Sequence, residues 1–124
     1  MVEIVDTSHT LYAIHLEITC KKNIEVGRLG IYPFKKGIYI YIGSAKRNIL
    51  ARINRHKQVN KLLKWHFDYL RPHGTILKII TYENSIGECH LAEKIRKEEG
   101  GGFPIRKFGS TDCKCNSHLI FVEK

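Results

Sequence analysis

Two side chains four residues apart, Arg52 and His56, and two phenols two residues apart, Tyr39 and Tyr41, stand out for the chemistry they could share. Residues at i and i+4 are neighbours on a helix, so a permanently charged guanidinium would lie beside an imidazole that can exchange a proton near neutral pH. Residues at i and i+2 share one face of a strand, so Tyr39 and Tyr41 project together with Gly37 and Gly43. Glu88 falls on one helical stripe with Leu91, Ala92 and Ile95, and a carboxylate on a stripe that faces a sheet must be paired, hydrogen-bonded or metal-bound. A plainer role is also open to it: Ser85 can cap the helix, and Glu88 three residues later would complete a capping box. Cys113, Cys115 and His118 offer two thiolates and an imidazole, ligands that zinc accepts. Zinc knuckles, however, usually leave at least two residues between their cysteines. Cys20 and Cys89 stand alone and read as small buried hydrophobes.

The elements that must position these groups follow from hydrophobic period. Tyr12, Ile14, Leu16 and Ile18 alternate with Ala13, His15, Glu17 and Thr19, the pattern of a strand with one buried face. Residues 25–34 read as a weaker second strand with bulges at Gly27 and Gly30, and residues 33–37 turn the chain into a third strand, 37–43. The period then becomes helical, with Ile49, Leu50, Ile53 and Lys57 on one face and Arg52 with His56 on another. A second helix over 60–70 would bury Leu63, Phe67 and Leu70 before Pro72 and Gly74 end it. Residues 76–82 are β-branched enough for a buried strand, a last helix runs from Ser85 to about Glu98, and residues 119–122 close the chain as a strand. The expectation is one α/β (α+β) domain over 1–124, a small central mixed or antiparallel sheet flanked by helices.

Composition narrows the partners. The chain has 124 residues, 43% of them apolar, enough for one core without staples. Its 21 Lys and Arg against 12 Asp and Glu give a formal charge of +9, and eight of those bases against the single acid Asp68 fall within 44–71. That asymmetry predicts an anionic partner, nucleic acid ahead of a membrane surface. No apolar run approaches the ~20 residues of a membrane helix, and residues 1–6 carry no secretory pattern, so the expectation is a cytoplasmic protein with reduced thiols.

The stretch Tyr41-Ile42-Gly43-Ser44-Ala45, then Arg52 and His56 on the next helix, then a helical Glu88, resembles the GIY-YIG nuclease superfamily, which includes excision-repair and homing endonucleases. The chain looks closest to its small Uri-type branch, through Trp65-His66-Phe67-Asp68-Tyr69-Leu70 and the closing segment Phe108-Gly109-Ser110-Thr111-Asp112-Cys113-Lys114-Cys115-Asn116-Ser117-His118-Leu119. Three tyrosines compete for the superfamily's first motif position: Tyr12, Tyr32 and Tyr39. Tyr39 shares a strand with Tyr41 and cannot supply a partner strand. Tyr12 fits the branch's long opening strand, with Thr10 where the motif has glycine, and Tyr32 stands second.

The resemblance implies an endonuclease that hydrolyses phosphodiester bonds in DNA, including structured or damaged sites, with one Mg2+ or Mn2+ held by Glu88. It implies that Arg52 clamps the scissile phosphate, that Tyr12 and Tyr41 orient or deprotonate the attacking water, and that His56 accepts a phenol proton. Gly43 would let the phosphate approach the backbone. Ser44, Lys46, Arg47, Arg55, His66 and Asp68 would line the nucleic-acid face, and high sequence specificity would call for a dimer or a protein partner. Two alternatives stay open: a nucleic-acid-binding module of the same fold with weak or no catalysis, and a zinc-dependent interaction domain built on Cys113, Cys115 and His118.

Overall fold

Alternating and continuous apolar runs build a sheet covered on both faces. The computed structural model describes residues 1–111, 113 and 115–123; Asp112 and Lys114 of the closing segment lie outside the described residues. The elements in chain order are β1 (Val2–Ile4), β2 (Leu11–Ile18), β3 (Lys22–Glu25), β4 (Ile31–Phe34), β5 (Gly37–Ser44), α1 (Ile49–Lys57), α2 (His66–Leu70), β6 (Thr75–Tyr82), α3 (Gly87–Glu99) and β7 (Leu119–Val122). Five strands form one mixed sheet in the order β1-β6-β2-β5-β7, in which only β1 runs parallel to its neighbour. The expected α+β class, with a mixed sheet flanked by helices, is the observed one.

β2 is the middle strand, and it is buried on both faces, not on one as its alternation suggests. Tyr12, Ile14, Leu16 and Ile18 join Tyr39 and Tyr41 of β5 in a core closed by Ile49 and Ile53 of α1, Phe67 and Leu70 of α2, and Phe108. Leu11 and Ala13 join Ile40 and Ile42 under Leu91, Ala92 and Ile95 of α3. Small or apolar side chains at 11 and 13 let α3 cover the second face, which a polar set would have left to water.

Other expectations need correction. Residues 25–34 are not one bulged strand: a 3-10 turn at Gly27–Leu29, with φ of +50° at Gly27, divides them, and β3 and β4 pair as a separate hairpin. The helix expected over 60–70 is confined to α2, because Asp68 draws the backbone N–H groups of Lys64 and Trp65 onto its carboxylate at 2.8 and 2.9 Å and fixes the preceding chain in an irregular path. Leu63 is consequently exposed, as is Leu50 on the outer side of α1, while Lys57 pairs with Glu3 of β1. Ser85 does not cap α3: the Asn84 side chain accepts from Gly87 N–H at 3.1 Å, and the capping box does not form because Glu88 turns toward the sheet. β1, three exposed residues on the sheet edge, had no legible period. α1 begins where expected, with Asn48 in the left-handed region and its side-chain oxygen accepting from Ala51 N–H at 3.1 Å.

Candidate active site

The cleft straddles the end of β5. Strand alternation sends Tyr41 and Gly43 to the α1 face and Ser44 to the α3 face, and all three line one cavity of about 360 Å3 with Tyr12, Arg52, Lys64, Trp65, His66, Glu88, Gly109 and Thr111. Seven of these, Tyr12, Tyr41, Gly43, Ser44, Arg52, His66 and Glu88, are residues that the sequence marks for the site or its rim, and they come from five separate elements.

Tyr12 and Gly43 are register partners across β2 and β5. A Cβ at Gly43 would stand 2.5 Å from Tyr12 Cζ and 2.8 Å from Cε1, so the phenol ring occupies the space that the missing side chain leaves. Gly43 therefore admits Tyr12, a correction to the expectation that it clears room for a phosphate. Tyr12 Oη lies 2.8 Å from His56 Nε2, while the Tyr12 and Tyr41 rings are 6.4 Å apart. Tyr32 is elsewhere, donating to the Leu29 carbonyl in the hairpin, and Tyr39 donates to the Lys35 carbonyl. Of the three contending tyrosines, only Tyr12 reaches the cleft.

Burial sets the protonation of this group. It lowers His56 to about 3, with Lys61 adding to the effect, so the imidazole is neutral over the whole neutral range. Burial raises Tyr12 to about 12 despite the nearby Arg52 charge, and raises Tyr41 well above the ordinary phenol value. Both phenols are thus protonated at rest. A neutral Nε2 is free to accept the Tyr12 hydroxyl proton, and Nδ1 of His56 has no hydrogen-bond partner among the described residues.

Arg52 donates through Nη1 to the Ser44 carbonyl at 2.9 Å and lies beside the Tyr12 phenol, with further guanidinium donors left for a ligand. Its charge lies 4.4 Å from the Trp65 ring centroid, and Arg55 lies at the same distance, with Lys64 at 4.7 Å. Of the three cations that flank the indole, Arg55 is paired with Asp68, whereas Arg52 and Lys64 hold positive charge at the cleft mouth with no ion pair among the described residues. His66 is held by its Nδ1, which accepts from Gly109 N–H at 2.8 Å, and burial lowers its basicity. Gly109, at φ +72°, packs its backbone against Tyr41 and closes the cleft from the far side.

Two residues expected on a nucleic-acid face serve the fold instead. Asp68 is fully buried and cannot face a ligand. Burial alone would raise its pKa, but the Arg55 fork at 3.0 and 3.1 Å, the Trp65 and Lys64 N–H groups and the Lys61 ammonium outweigh it and lower Asp68 to about 2. Arg55 is correspondingly committed to Asp68 and to the Leu62 carbonyl. Lys46 and Arg47 are exposed on the loop before α1, outside the cleft lining.

Glu88 accepts from the Ser44 hydroxyl through Oε1, and its Oε2 lies 3.2 Å from His118 Nδ1. The other side of His118 opens on a second group. Cys89, Cys113, Cys115 and His118 place one donor atom each within 4.8 Å of one another and could hold a metal ion. Cys89 is therefore not an isolated small hydrophobe: the first turn of α3 carries it onto the thiols of the closing segment, with the Cys89 and Cys115 sulfurs in disulfide contact. The neighbour relation Glu88-Cys89 at the start of a helix was the available signal, since adjacent helical residues point to adjacent sectors. Lys64, Trp65, Gly109 and Thr111 carried no periodic signal that would have assigned them to the cleft.

Among the described residues no helix is long and apolar enough to cross a membrane. A family model described as "Domain of unknown function DUF123" matches residues 11–124. No curated protein and no solved structure matches the chain.

Proposed function

From the premise that the chain belongs to the DUF123 family, whose description names no activity, we propose that it is a divalent-metal-dependent endonuclease that hydrolyses phosphodiester bonds in DNA, as the GIY-YIG superfamily it resembles does. The observation that carries this reading is the convergence in one basic cleft of a free-handed guanidinium, a carboxylate and a phenol hydrogen-bonded to a neutral imidazole. Phosphodiester hydrolysis demands those functions: charge neutralisation on the phosphoryl oxygens, an oxygen-ligated cation and a route for the water proton.

Glu88 suits a hard cation, because its carboxylate meets the Ser44 hydroxyl in a cavity that Tyr12 and Thr111 also line, and oxygen donors are what Mg2+ and Mn2+ take. Such an ion would supply Lewis-acid stabilisation of charge on the phosphoryl group. Arg52 grips a non-bridging phosphate oxygen with the donors that Ser44 leaves open, and Trp65 holds the guanidinium plane in place. As the water oxygen bonds to phosphorus, its proton passes to Tyr12 Oη and the phenolic proton to His56 Nε2, while the ester P–O bond opposite breaks and the departing alkoxide takes a proton from solvent. The burial that makes His56 a poor base in the empty cleft is offset by a phosphate anion nearby, so the proton is accepted as negative charge gathers. Tyr41, stacked on Phe67 with centroids 5.0 Å apart, walls the cleft and holds Tyr12 from the side. Lys46, Arg47 and Lys64 extend the cationic track along which the DNA backbone runs.

The test is cleavage of supercoiled plasmid and of branched, flapped and single-stranded DNA in Mg2+ and in Mn2+, with wild type beside Glu88→Gln. We expect wild-type cutting, a loss of at least 100-fold in the variant, and retained DNA binding. A variant that cuts at the wild-type rate overturns the site. A folded wild type that shifts DNA in both metals and cuts none of the panel moves the reading to a binding module, a role the buried, fully protonated phenols would also permit.

A further inference from the structure

We propose that Cys89, Cys113, Cys115 and His118 bind one Zn2+ in a tetrahedral Cys3His site, and that this site holds Glu88 in place through the far side of the His118 ring. A tetrahedron with Zn–S bonds of about 2.3 Å has edges near ~3.8 Å between donors. Five of the six edges follow that pattern, 3.6 Å from Cys89 to Cys113 and 3.4 Å from Cys113 to Cys115 between sulfurs, and 3.4, 3.6 and 3.1 Å from His118 Nε2 to the sulfurs of Cys89, Cys113 and Cys115, while the sixth, Cys89 to Cys115, is drawn in to disulfide contact.

A disulfide between Cys89 and Cys115 accounts for two of these donors only. It gives no reason for a third sulfur and an imidazole nitrogen to converge on the same point. A thiophilic cation accounts for all four, with the one-residue spacing of Cys113 and Cys115 made workable because the third thiolate comes from α3 and not from the same loop. Lys107 adds support from outside: its ammonium donates to the carbonyls of Cys113 and Cys115 at 2.7 and 3.3 Å, which fixes the loop and brings positive charge toward a centre whose three thiolates and one Zn2+ sum to −1.

His118 is the link. With Nε2 directed at the thiols, Nδ1 faces Glu88 Oε2 at 3.2 Å, the carboxylate-histidine-metal arrangement by which an outer partner fixes a ligating imidazole and raises its basicity. Zinc on Nε2 makes Nδ1 a protonated donor, so the carboxylate is oriented from below by the metal centre and from the side by Ser44. The zinc assignment stands independently of the cleavage reaction; that the orientation matters for catalysis rests on the reading of the cleft as a nuclease site.

The experiment measures zinc in the full chain purified with reductant and supplied with equimolar Zn2+, followed by replacement with Co2+. The expected result is about one zinc per chain and a Co2+ spectrum with intense thiolate charge-transfer and tetrahedral bands. Cys113→Ser should lose at least 10-fold in zinc affinity by chelator competition while Cys20→Ser, whose thiol is exposed and remote, keeps it. Glu88→Gln should still fill at saturating zinc but bind it about 10-fold to 100-fold more weakly, the usual effect of losing such an outer partner. Folded protein with no zinc, no thiolate band with Co2+ and a Cys89–Cys115 disulfide by mass spectrometry overturns the site. Unchanged zinc affinity in Glu88→Gln overturns the link to His118. None of these readouts needs cleavage, so a failed zinc site and a failed nuclease assignment are told apart.

Discussion

At the scale of single residues, the cleft is governed by what burial does to protons. His56, neutral at rest and lowered to about 3, accepts the Tyr12 hydroxyl, and its state does not change across the physiological range. The sign follows: His56 is competent above its folded value and is lost only as pH falls through it, so no acid limb centred near the ordinary histidine value of about 6.5 should appear. Cleavage rates at subsaturating DNA from pH 5 to pH 9 in Mn2+, which report the unliganded protein, check this, and an inflection near 6.5 that disappears in His56→Asn would show that the imidazole titrates where solvent reaches it. Helix and strand periods showed only which neighbours share a face; what singled out Arg52, His56, Tyr41 and Glu88 together was the order and spacing that resemble the GIY-YIG motif. The role of Gly43 was not legible, because a register pairing with Tyr12 is a long-range fact that no local pattern encodes. The reach from Glu88 to His118 was hidden for the same reason.

Among elements, the short α2 and the chain leading into it depend on one buried carboxylate. Asp68 meets donors from four residues, and replacing it by Asn removes the charge while leaving Arg55 and Lys61 without their partner. We expect Asp68→Asn to cost about 3 kcal/mol in urea denaturation at pH 6. The part of this due to ionisation, ~2 kcal/mol, is present above the unfolded carboxyl value near 3.8 and is lost as pH falls toward the folded value of about 2, so the gap between variant and wild type should narrow at pH 3. An undiminished gap there would assign the loss to packing alone. The same carboxylate explains why the helix read over 60–70 fails. Leu63, Phe67 and Leu70 have helical spacing, but Asp68 captures the N–H groups that a longer helix would need, and that competition between side chain and backbone is invisible to an apolar period. The strands fared better, since β5, β6 and β7 alternate or run apolar without such rivals.

For the whole molecule, eight of the 21 Lys and Arg fall within 44–71, and they differ in how far the fold commits them: Arg55, Lys57 and Lys61 are ion-paired. Lys46 and Arg47 are exposed, and Arg52 and Lys64 stand on Trp65, whereas Arg55 is spent on Asp68. If these four contact phosphates, the double variant Lys46→Ala, Arg47→Ala should reduce the slope of log affinity against log salt by about 2, uniformly across DNA sequences, as fluorescence anisotropy would measure. An unchanged slope would move the DNA track away from the loop before α1. Net charge was readable at once; which bases are committed inside the protein required the fold.

β5 has one further consequence. It is hydrogen-bonded on both sides, to β2 and to β7, and carries Tyr41 and Gly43 on one face and Ser44 on the other. A slip of one residue would exchange those faces and scatter the cleft in a single step. The ladder therefore acts as a gauge: the two flanking strands fix alignment to the nearest residue, and the spacing of the reactive groups inherits the rigidity of the backbone mesh, which loops around the cleft could not have provided.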